Sequence, residues 1–294
     1  MKMLVFGSLN IDKTYTLEDF VRPGQTISAD RMEQFCGGKG FNQAIALRRA
    51  GNEVHFAGAV GQDGSMLLKS LDDNGVNREH VKVTSGATGH AIIQVNRQGG
   101  NSIIILAGAN GEITSWDVDS TLADFRAGDL IVVQNEISCV PYMLRRAHEK
   151  GMIVAFNPSP YDGKAAECDL NCVDYLLVNE VEGAEMAGCT RAEDILEELH
   201  RRYPALNIVL TLGGDGAMYQ AKEGARFVCG AHPVDVMDTT AAGDTFTGYF
   251  LSEIFRHGDA KKALHTASVA AGIAVSRKGA EPPIPAMAEV TPLL

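Results

Sequence analysis

Residues 130–156, LIVVQNEISCVPYMLRRAHEKGMIVAF, decide the fold class of this chain. The stretch opens with an unbroken apolar run, continues as an amphipathic segment that ends at Gly151, and closes with a second apolar run. Consecutive apolar positions are typical of strands buried on both faces of a parallel sheet, and a glycine just past a helix fits a left-handed cap. The stretch therefore predicts a strand, a helix and a second strand.

The same alternation continues along most of the chain. The predicted strands are Met3–Phe6, Glu53–Ala57, Leu130–Gln134, Ile153–Phe156, Tyr175–Val178 and Ile208–Leu212. The predicted helices are Phe41–Ala50, Cys139–Lys150, Val181–Ala187 and Ala192–Arg202. This order predicts one α/β domain over residues 1–294, a three-layer α/β/α sandwich around a mainly parallel sheet.

Two stretches depart from the alternation. Residues 11–35 carry a turn signal, Pro23-Gly24, between Thr14–Leu17 and Thr26–Ala29. Residues 88–106 have the pattern of a hairpin, with Ala91–Val95 and Ser102–Leu106 joined by a polar loop at 96–101. We interpret both as a small separate β-sheet that forms a lid over a site; ordinary decoration of the sheet edge is the alternative.

Composition limits the class of function. Of the 294 residues, 45% are hydrophobic and 21% charged, which indicates a globular chain with a large core. The formal net charge is −11 and no basic stripe is present, so a nucleic acid or an anionic membrane is an unsuitable partner. An anionic ligand would have to be bound by local backbone dipoles.

The chain shows no targeting or disulfide pattern. No apolar run reaches the ~20 residues that span a bilayer, and the polar residues soon after Met1 do not suit a signal peptide. Cys168 and Cys172 form a C-x3-C spacing without a second pair or a nearby histidine, so we expect no zinc site there. We expect free thiols and a cytoplasmic protein.

The first glycine-rich motif is GGKGFNQ at residues 37–43, which directly precedes a predicted helix. Consecutive glycines allow close approach of a ligand to the backbone, and a helix start favours oxygens or anions. The motif is not a P-loop, because Gly40 follows Lys39 where a Ser or Thr is required. A tight strand–helix turn without a ligand is the alternative.

The second motif is DTTAAGDTF at residues 238–246. The amides of Ala242, Gly243 and Asp244 are expected to point out of a helix start and form an anion nest. The Asp244 carboxylate would then lie beside a bound phosphoryl group, as a general base requires. The alternative is an ordinary aspartate without a catalytic role, which the helix dipole stabilises at the helix start.

Together these motifs resemble the paired signatures of the ribokinase-like (PfkB-type) family of carbohydrate kinases. Five further segments occur in the family's order: 7–12 (GSLNID), 157–160 (NPSP), 179–182 (NEVE), 211–216 (TLGGDG) and 277–280 (RKGA). The resemblance covers nearly the whole chain. It implies a kinase that transfers the γ-phosphate of ATP to a primary hydroxyl of a small sugar, with D-ribose or a related sugar expected.

The resemblance also implies roles for individual residues. Sugar binding is assigned to Asn10, Asp12, Gly38, Lys39, Asn42 and Glu136, which offer the donors and acceptors that a polyhydroxyl ligand needs. ATP binding is assigned to Asn179, Thr211, Gly213, Gly216 and Gly243. Asp244 takes the hydroxyl proton, and Ala241, Ala242 and Gly243 form the anion hole. Glu182 acts on Mg²⁺ through bound water.

Relatives also bind a monovalent cation, expected here to be K⁺. The matching positions are Asp238, Thr240, Ala274, Arg277 and Gly279. Pro283 departs from the family pattern, because it stands where ribokinase-like proteins commonly offer a hydroxyl, and Tyr249 departs where they usually have a small residue.

The predicted lid also suggests a partner. Ala91, Ile93 and Val95 share one strand face, with Ile103 and Ile105 as possible neighbours. This apolar surface is too extensive to leave exposed, so we expect a homodimer joined through the lids. A monomer whose lid packs on its own domain is the alternative.

Other functions remain open at this stage. The α/β pattern alone permits a dinucleotide-dependent oxidoreductase, although G-x-G-x-x-G is missing after the first strand. A non-catalytic sugar-binding regulator is a second alternative. Among kinases, fructose, a keto-deoxy sugar acid or a nucleoside could replace ribose.

Overall fold

The computed structural model of this chain describes residues 1–98 and 100–294; the predicted hairpin turn includes Gly99, which lies outside them. The strands within these residues are β1 Met3–Phe6, β2 Asn10–Thr16, β3 Arg31–Gly37, β4 Val54–Val60, β5 Asn77–Val83, β6 Gly89–Val95, β7 Asn101–Leu106, β8 Leu130–Gln134, β9 Ile153–Asn157, β10 Tyr175–Asn179, β11 Asn207–Thr211, β12 Ala217–Gln220 and β13 Arg226–Cys229. The α-helices are α1 Lys39–Arg49, α2 Ser65–Asp73, α3 Ser115–Leu122, α4 Val140–Glu149, α5 Gly163–Ala166, α6 Glu180–Ala187, α7 Ala192–Arg202, α8 Ala242–His257, α9 Ala260–Val275 and α10 Met287–Val290.

The larger sheet confirms the predicted α/β class. Its strand order over the described residues is β13-β12-β11-β10-β9-β8-β1-β4-β5. All neighbours from β11 to β5 are parallel, and only the β11-β12 and β12-β13 pairs are antiparallel. Every residue of β1 and β8 is buried, because helices cover both faces of these strands.

Two apolar cores lie on opposite faces of this sheet. One contains side chains of α1, α8 and α9, such as Phe41, Tyr249 and Val269. The other contains side chains of α4 and α7, such as Met143 and Leu196. The molecule therefore has the predicted three layers. Phe41 is a core residue, and the Tyr249 hydroxyl donates a hydrogen bond to the Pro285 carbonyl at 2.7 Å, which satisfies its one polar atom.

The smaller sheet has the order β3-β2-β6-β7. Its hairpin strands begin slightly earlier than predicted, at Gly89 and Asn101. The expectation of an extended segment at Thr26–Ala29 is wrong: the strand that pairs with β2 is Arg31–Gly37, after a loop. Its sequence, RMEQFCG, mixes polar and apolar residues without strict alternation, so it carries no clear strand signal.

The strand ends place the functional residues. The parallel strands β1, β8, β9, β10 and β11 all end at one edge of the large sheet. The small sheet starts just past β1. Helices α1 and α8 begin near the same edge, and hydrogen bonds link them to each other and to the end of β9. In open α/β sheets, ligands bind at this carboxyl edge. Among the described residues, no helix is long and apolar enough to cross a membrane.

Candidate active site

The first glycine motif lies tightly against the turn between β1 and β2. Gly38, at φ 97°, caps α1, which starts at Lys39, so the predicted start at Phe41 was two residues late. A Cβ added at Gly40 would lie 2.5 Å from the Ser8 amide nitrogen, and one at Gly37 would lie 2.1 Å from an Asp12 carboxylate oxygen. Gly40 must therefore be glycine, because its neighbours are backbone atoms, whereas a side chain at Gly37 would displace the Asp12 carboxylate.

Glu136 fixes this turn from the end of β8. Its carboxylate accepts hydrogen bonds from the Lys39 amide at 3.0 Å and from the Ser8 hydroxyl at 2.5 Å. The Ser8 hydroxyl oxygen in turn accepts one from the Gly40 amide at 3.2 Å. The predicted sugar residues Gly38, Lys39 and Glu136 thus lie on one connected loop system.

Asn110 is a residue that the sequence did not reveal. Its side chain accepts a hydrogen bond from the Leu9 amide at 3.0 Å and donates one to Asn10 Oδ1 at 2.8 Å. It therefore orients Asn10, one of the predicted sugar ligands. The residue lies about 100 positions from its partners in a short 3-10 turn, and no local pattern marks it.

Asp12 occupies a strongly acidic environment. Burial, followed by the charges of Glu136 and Asp244, raises the pKa of Asp12 to about 7. The second motif therefore lies close to β2, because the charge of Asp244 on α8 raises the pKa of Asp12 on β2. A carboxyl with this pKa exchanges its proton near neutral pH, and a sugar hydroxyl that donates to it favours the charged form.

Asp244 is held by two amide side chains of α1. Its Oδ2 accepts a hydrogen bond from Asn42 Nδ2 at 3.0 Å, and its Oδ1 accepts one from Gln43 Nε2 at 2.9 Å. Both carboxylate oxygens retain further lone pairs for a substrate hydroxyl. Asn42, predicted as a sugar ligand, is thus also a direct partner of the predicted base.

Gln43 belongs to a chain of amides that the sequence did not predict. Gln134 Nε2 donates to Gln43 Oε1 at 2.7 Å, and Gln43 Nε2 also lies 3.1 Å from Asn157 Oδ1. These side chains come from α1, β8 and β9. Gln43 stood within the quoted motif, but nothing in the sequence indicated that its side chain meets Asp244.

The start of α8 is strained. Ala241, a non-glycine residue, has φ 58° in the left-handed region, which costs about 1–2 kcal/mol. Within the described residues the amides of Ala241, Gly243 and Asp244 have no intramolecular acceptor. The expectation that Ala242 also presents a free amide is wrong, because that amide donates to the Thr239 carbonyl at 3.2 Å and closes the turn.

Two adjacent cavities meet at this helix start. The first has a volume of 420 Å³ and is lined by residues from each predicted group: Asn179 and Gly243 for ATP, Asp244 for catalysis, Lys39 for the sugar and Glu182 for Mg²⁺. The second, of 510 Å³, has a largely apolar wall that includes Ala231, Pro233, Val234, Ala271 and Val275. The two cavities share Thr211, Gly213, Thr239, Ala242, Gly243 and Phe246.

This pair of cavities suits a nucleotide. Apolar walls accept a flat base, while the shared glycines and the open amides of the helix start accept phosphate oxygens. Gly216 has φ 101°, and a Cβ there would lie 2.1 Å from the Cys229 carbonyl oxygen. The turn after β11 therefore requires glycine for its shape.

Lys39 connects the acidic side of the site with the phosphate cavity. Burial disfavours its charged form, but the carboxylates of Asp244, Glu136 and Glu182 outweigh that and raise the pKa of Lys39. The ammonium therefore stays charged. Its side chain lines the 420 Å³ cavity, so it can reach a phosphoryl group as well as a sugar.

Asn179 and Glu182 form a capping box at the start of α6. Asn179 Oδ1 accepts from the Glu182 amide at 2.9 Å, and Glu182 accepts from the Asn179 amide at 3.2 Å. Capping alone explains the N-x-x-E spacing. Yet Glu182 is 7% exposed, and both residues line the phosphate cavity, so one carboxylate oxygen remains for hydrated Mg²⁺.

The loop of Asp238 lies against the loop that follows α9. The Asp238 carboxylate accepts from the Thr240 amide and hydroxyl at 2.9 and 2.6 Å, and from the Gly279 amide at 2.9 Å. Burial alone would raise the pKa of Asp238, but these hydrogen bonds lower it. Over the part of the chain that the structure describes, the carbonyls of Asp238, Thr240, Arg277 and Gly279 accept no hydrogen bond.

Those carbonyl oxygens remain available to a ligand, whereas Ala274 and Pro283 contribute differently. The Ala274 carbonyl accepts a hydrogen bond from the Arg277 amide at 3.1 Å. Pro283 is buried, and a Cβ added at Gly279 would lie 3.8 Å from its Cδ, so it offers packing there and no hydroxyl ligand.

Comparison with known proteins gives the class of this chain. Residues 1–287 match the pfkB family of carbohydrate kinases, and the chain belongs to that family. It is therefore a phosphotransferase with an alcohol group as acceptor, as the resemblance in its motifs implied.

Its relatives include ribokinases along its full length. It is 33% identical over 308 residues to the ribokinase of Schizosaccharomyces pombe, with 99% of this chain and 96% of that protein covered. The structure is similar, at a TM-score of 0.88 and 32% identity, to that of Cryptococcus neoformans ribokinase in complex with ADP, covering 100% and 99% of the two chains. Arabidopsis thaliana ribokinase complexed with ribose and ATP also gives 0.88, at 29% identity and 99% and 97% coverage.

Proposed function

We propose that this chain transfers the γ-phosphoryl group of ATP to the primary hydroxyl of D-ribose. The observation that carries the proposal is the position of Asp244. It lines the phosphate cavity, and its charge also acts on Asp12 on the opposite, acidic side. The full-length similarity to ribokinases, one of them solved with ribose and ATP, supports ribose as the acceptor.

Asp244 accepts the proton of the attacking hydroxyl. Asn42 and Gln43 fix its two oxygens, so the base is oriented before the sugar binds. The open amides of Ala241 and Gly243 then stabilise charge on the transferring phosphoryl group. Phosphoryl transfer depends mainly on positioning and charge stabilisation, which these groups supply.

The sugar lies against Asn10, Asp12 and the loop of Gly38. Asp12 accepts sugar hydroxyls, and Asn10 is oriented for the same purpose by Asn110. Each hydrogen bond to a charged group contributes about 1.5–3 kcal/mol.

Mg²⁺ and K⁺ complete the proposal. Glu182 would hold Mg²⁺ through its water shell beside the phosphates, where the ion neutralises developing charge. The free carbonyls around Asp238 and Gly279 would hold K⁺ behind the helix start and so fix the strained Ala241 turn.

The small sheet is proposed to act as a lid and as a dimer contact. Its register pairs Asp12 with Ala91, and Ala91 with Ile105, so these side chains share one face. By strand alternation Ile103 and Ile105 therefore share the face of Asp12, whereas Ile104 and Leu106 lie on the opposite face. Ile103, Ile104, Ile105 and Leu106 of the edge strand β7 are 51–60% exposed. A second copy of this sheet would cover them.

A coupled assay of ADP release tests the substrate. The panel is D-ribose, 2-deoxyribose, fructose, a keto-deoxy sugar acid and adenosine, each with ATP and Mg²⁺. We expect the highest kcat/KM for ribose. A higher kcat/KM for any other acceptor would overturn the choice of ribose, and ADP release that no acceptor stimulates would overturn the kinase.

A further inference from the structure

Three potential metal ligands converge at the other end of the molecule. Glu79 and His80 lie on β5, and Asp124 follows α3. One ligand atom from each lies within 4.8 Å of the other two. His80 Nε2 is 3.7 Å from a Glu79 carboxylate oxygen and 3.6 Å from one of Asp124. Tetrahedral Zn²⁺, with bonds of about 2.1 Å, holds its ligands about 3.4 Å apart, so these three need little movement.

A buried histidine beside them supplies an independent observation. His55, on the neighbouring strand β4, is 7% exposed, and both its ring nitrogens are buried without a hydrogen-bond partner. An imidazole ring carries two polar nitrogens, and leaving either of them buried without a partner is unfavourable. Such a side chain fits a position where a metal takes one nitrogen.

His55 lies beside the same cluster. Its ring and that of His80 both pack on Phe125, with centroid separations of 5.5 and 5.8 Å. Its Nε2 lies 3.6 Å from a Glu53 carboxylate oxygen.

The local charge favours a divalent cation. Three carboxylates, those of Glu53, Glu79 and Asp124, surround the two imidazoles. One positive charge, that of Lys2, lies beside them. The Lys2 Nζ is 5.4 Å from the Phe125 centroid and donates a hydrogen bond to the Asp124 carbonyl. With neutral histidines the cluster therefore carries a net charge of about −2.

We propose that Glu79, His80 and Asp124 form a binding site for a divalent transition-metal ion of the zinc class, with the unpartnered imidazole of His55 beside them. Mixed imidazole and carboxylate ligands favour Zn²⁺ or Ni²⁺ over Mg²⁺, which prefers oxygen alone. The site joins β4, β5 and the segment after α3 near the start of β4, whereas Asp244 lies at the carboxyl edge of the sheet. Its expected effect is stabilisation of this sheet edge without a part in catalysis.

Calorimetric titration of the chelator-treated full chain with Ni²⁺ alone, repeated with Zn²⁺ alone, tests the site. We expect one equivalent to bind with a Kd in the micromolar range, and the Tm to rise by about 5 °C at 100 times the Kd. His80→Ala should weaken binding at least tenfold and abolish the Tm increase. His265→Ala, which removes an exposed histidine of α9, should bind as the wild type does.

The variants distinguish metal binding at this site from metal binding elsewhere in the protein. Binding that persists in His80→Ala would place the ion elsewhere, for example on the cysteines, and would overturn the proposal. So would the absence of saturable binding below about 1 mM. If His80→Ala does not fold, Asp124→Asn at an exposed position decides by the same criteria. ADP release with ribose should be equal in wild type and His80→Ala.

Discussion

Gln43 and Asn42 decide, at the scale of single residues, how Asp244 can act. An aspartate at a helix start is common and needs no function. Here two side-chain amides from a different helix bind its two oxygens, an arrangement that capping does not require. The geometry fixes the direction of the remaining lone pairs of Asp244, along which we propose that the sugar hydroxyl approaches.

Gln43→Leu tests this positioning. The substitution removes one hydrogen bond to Asp244 and leaves Gln134 and Asn157 without their partner. We expect kcat to fall about 10- to 100-fold with a small change in KM, because orientation is lost while sugar contacts remain. Gln98→Leu, at an exposed position, is the matched control. A folded Gln43→Leu enzyme with kcat within twofold of wild type would show that the amide has no positioning role.

The raised pKa of Asp12 predicts that kcat/KM for ribose depends on pH. In the free protein its pKa is about 7, so the carboxylate that accepts sugar hydroxyls forms as the pH rises through 7. The kcat/KM for ribose should therefore increase from pH 6 to pH 8, while the Kd for ATP changes little. In Asp12→Asn this rise should disappear and kcat/KM should be low throughout. An unchanged rise in the variant would assign the pH dependence to another group.

Residues of the site differed in how far the sequence could predict them. Asp244 and the glycines lie in continuous motifs next to helix starts, where local chemistry restricts residue type. Asn110, Gln134 and Asn157 act through side chains whose partners are about 100 positions away. No periodicity reports such a contact, so only the folded chain reveals them.

At the scale of structural elements, the loop of Asp238 lies against the loop after α9. Their free carbonyls predict activation by K⁺, since an ion there holds the Ala241 turn in its strained form. At equal ionic strength, kcat/KM should be higher in K⁺ than in Na⁺ or tetramethylammonium. Asp238→Asn, which weakens the bond to the Gly279 amide, should reduce this preference. Equal activity in all three cations would exclude the cation site.

The edge strand β7 makes the dimer testable. We expect the double substitution Ile103→Asp and Ile105→Asp to place charge in the contact and convert the dimer to a monomer, as measured by light scattering at micromolar concentration. The same variant should have a higher KM for ribose. Both side chains are more than half exposed, so the fold should persist. Val228→Asp, at an exposed position of β13, is the control and should remain dimeric. A monomeric wild type would contradict the dimer and leave the kinase proposal intact.

Among the elements, buried parallel strands were predicted best. Strands such as β1 and β8 are apolar at every position because both faces are covered, and their bounds agree with prediction. The strands β3, β5, β12 and β13 were not assigned from the sequence, and β2 was predicted only over its second half, at Thr14–Leu17. Strands β2 and β3 mix polar and apolar residues and are half exposed, and α8 and α9 lack a clean amphipathic period because they are buried around most of their surface.

For the whole molecule, the net charge of −11 requires that a polyanion be bound locally. The parallel sheet provides this by bringing the start of α8, the glycine turn after β11 and Lys39 to one edge. Strand–helix alternation predicted the sheet and that edge. The pairing of β2 with β3 and β6 in the small sheet joins segments distant in the sequence, and the sequence contained no signal for its orientation.

Phosphorus NMR of the complete reaction tests the central claim most directly. Wild-type protein with ATP, Mg²⁺ and D-ribose should produce ADP and one phosphomonoester on the primary hydroxyl in equal amounts. Asp244→Asn, with ribose and ATP affinities near wild type by calorimetry, should form both at least ~10²–10⁴-fold more slowly. Turnover by Asp244→Asn at near the wild-type rate, or ADP formed without a sugar phosphate, would contradict the account.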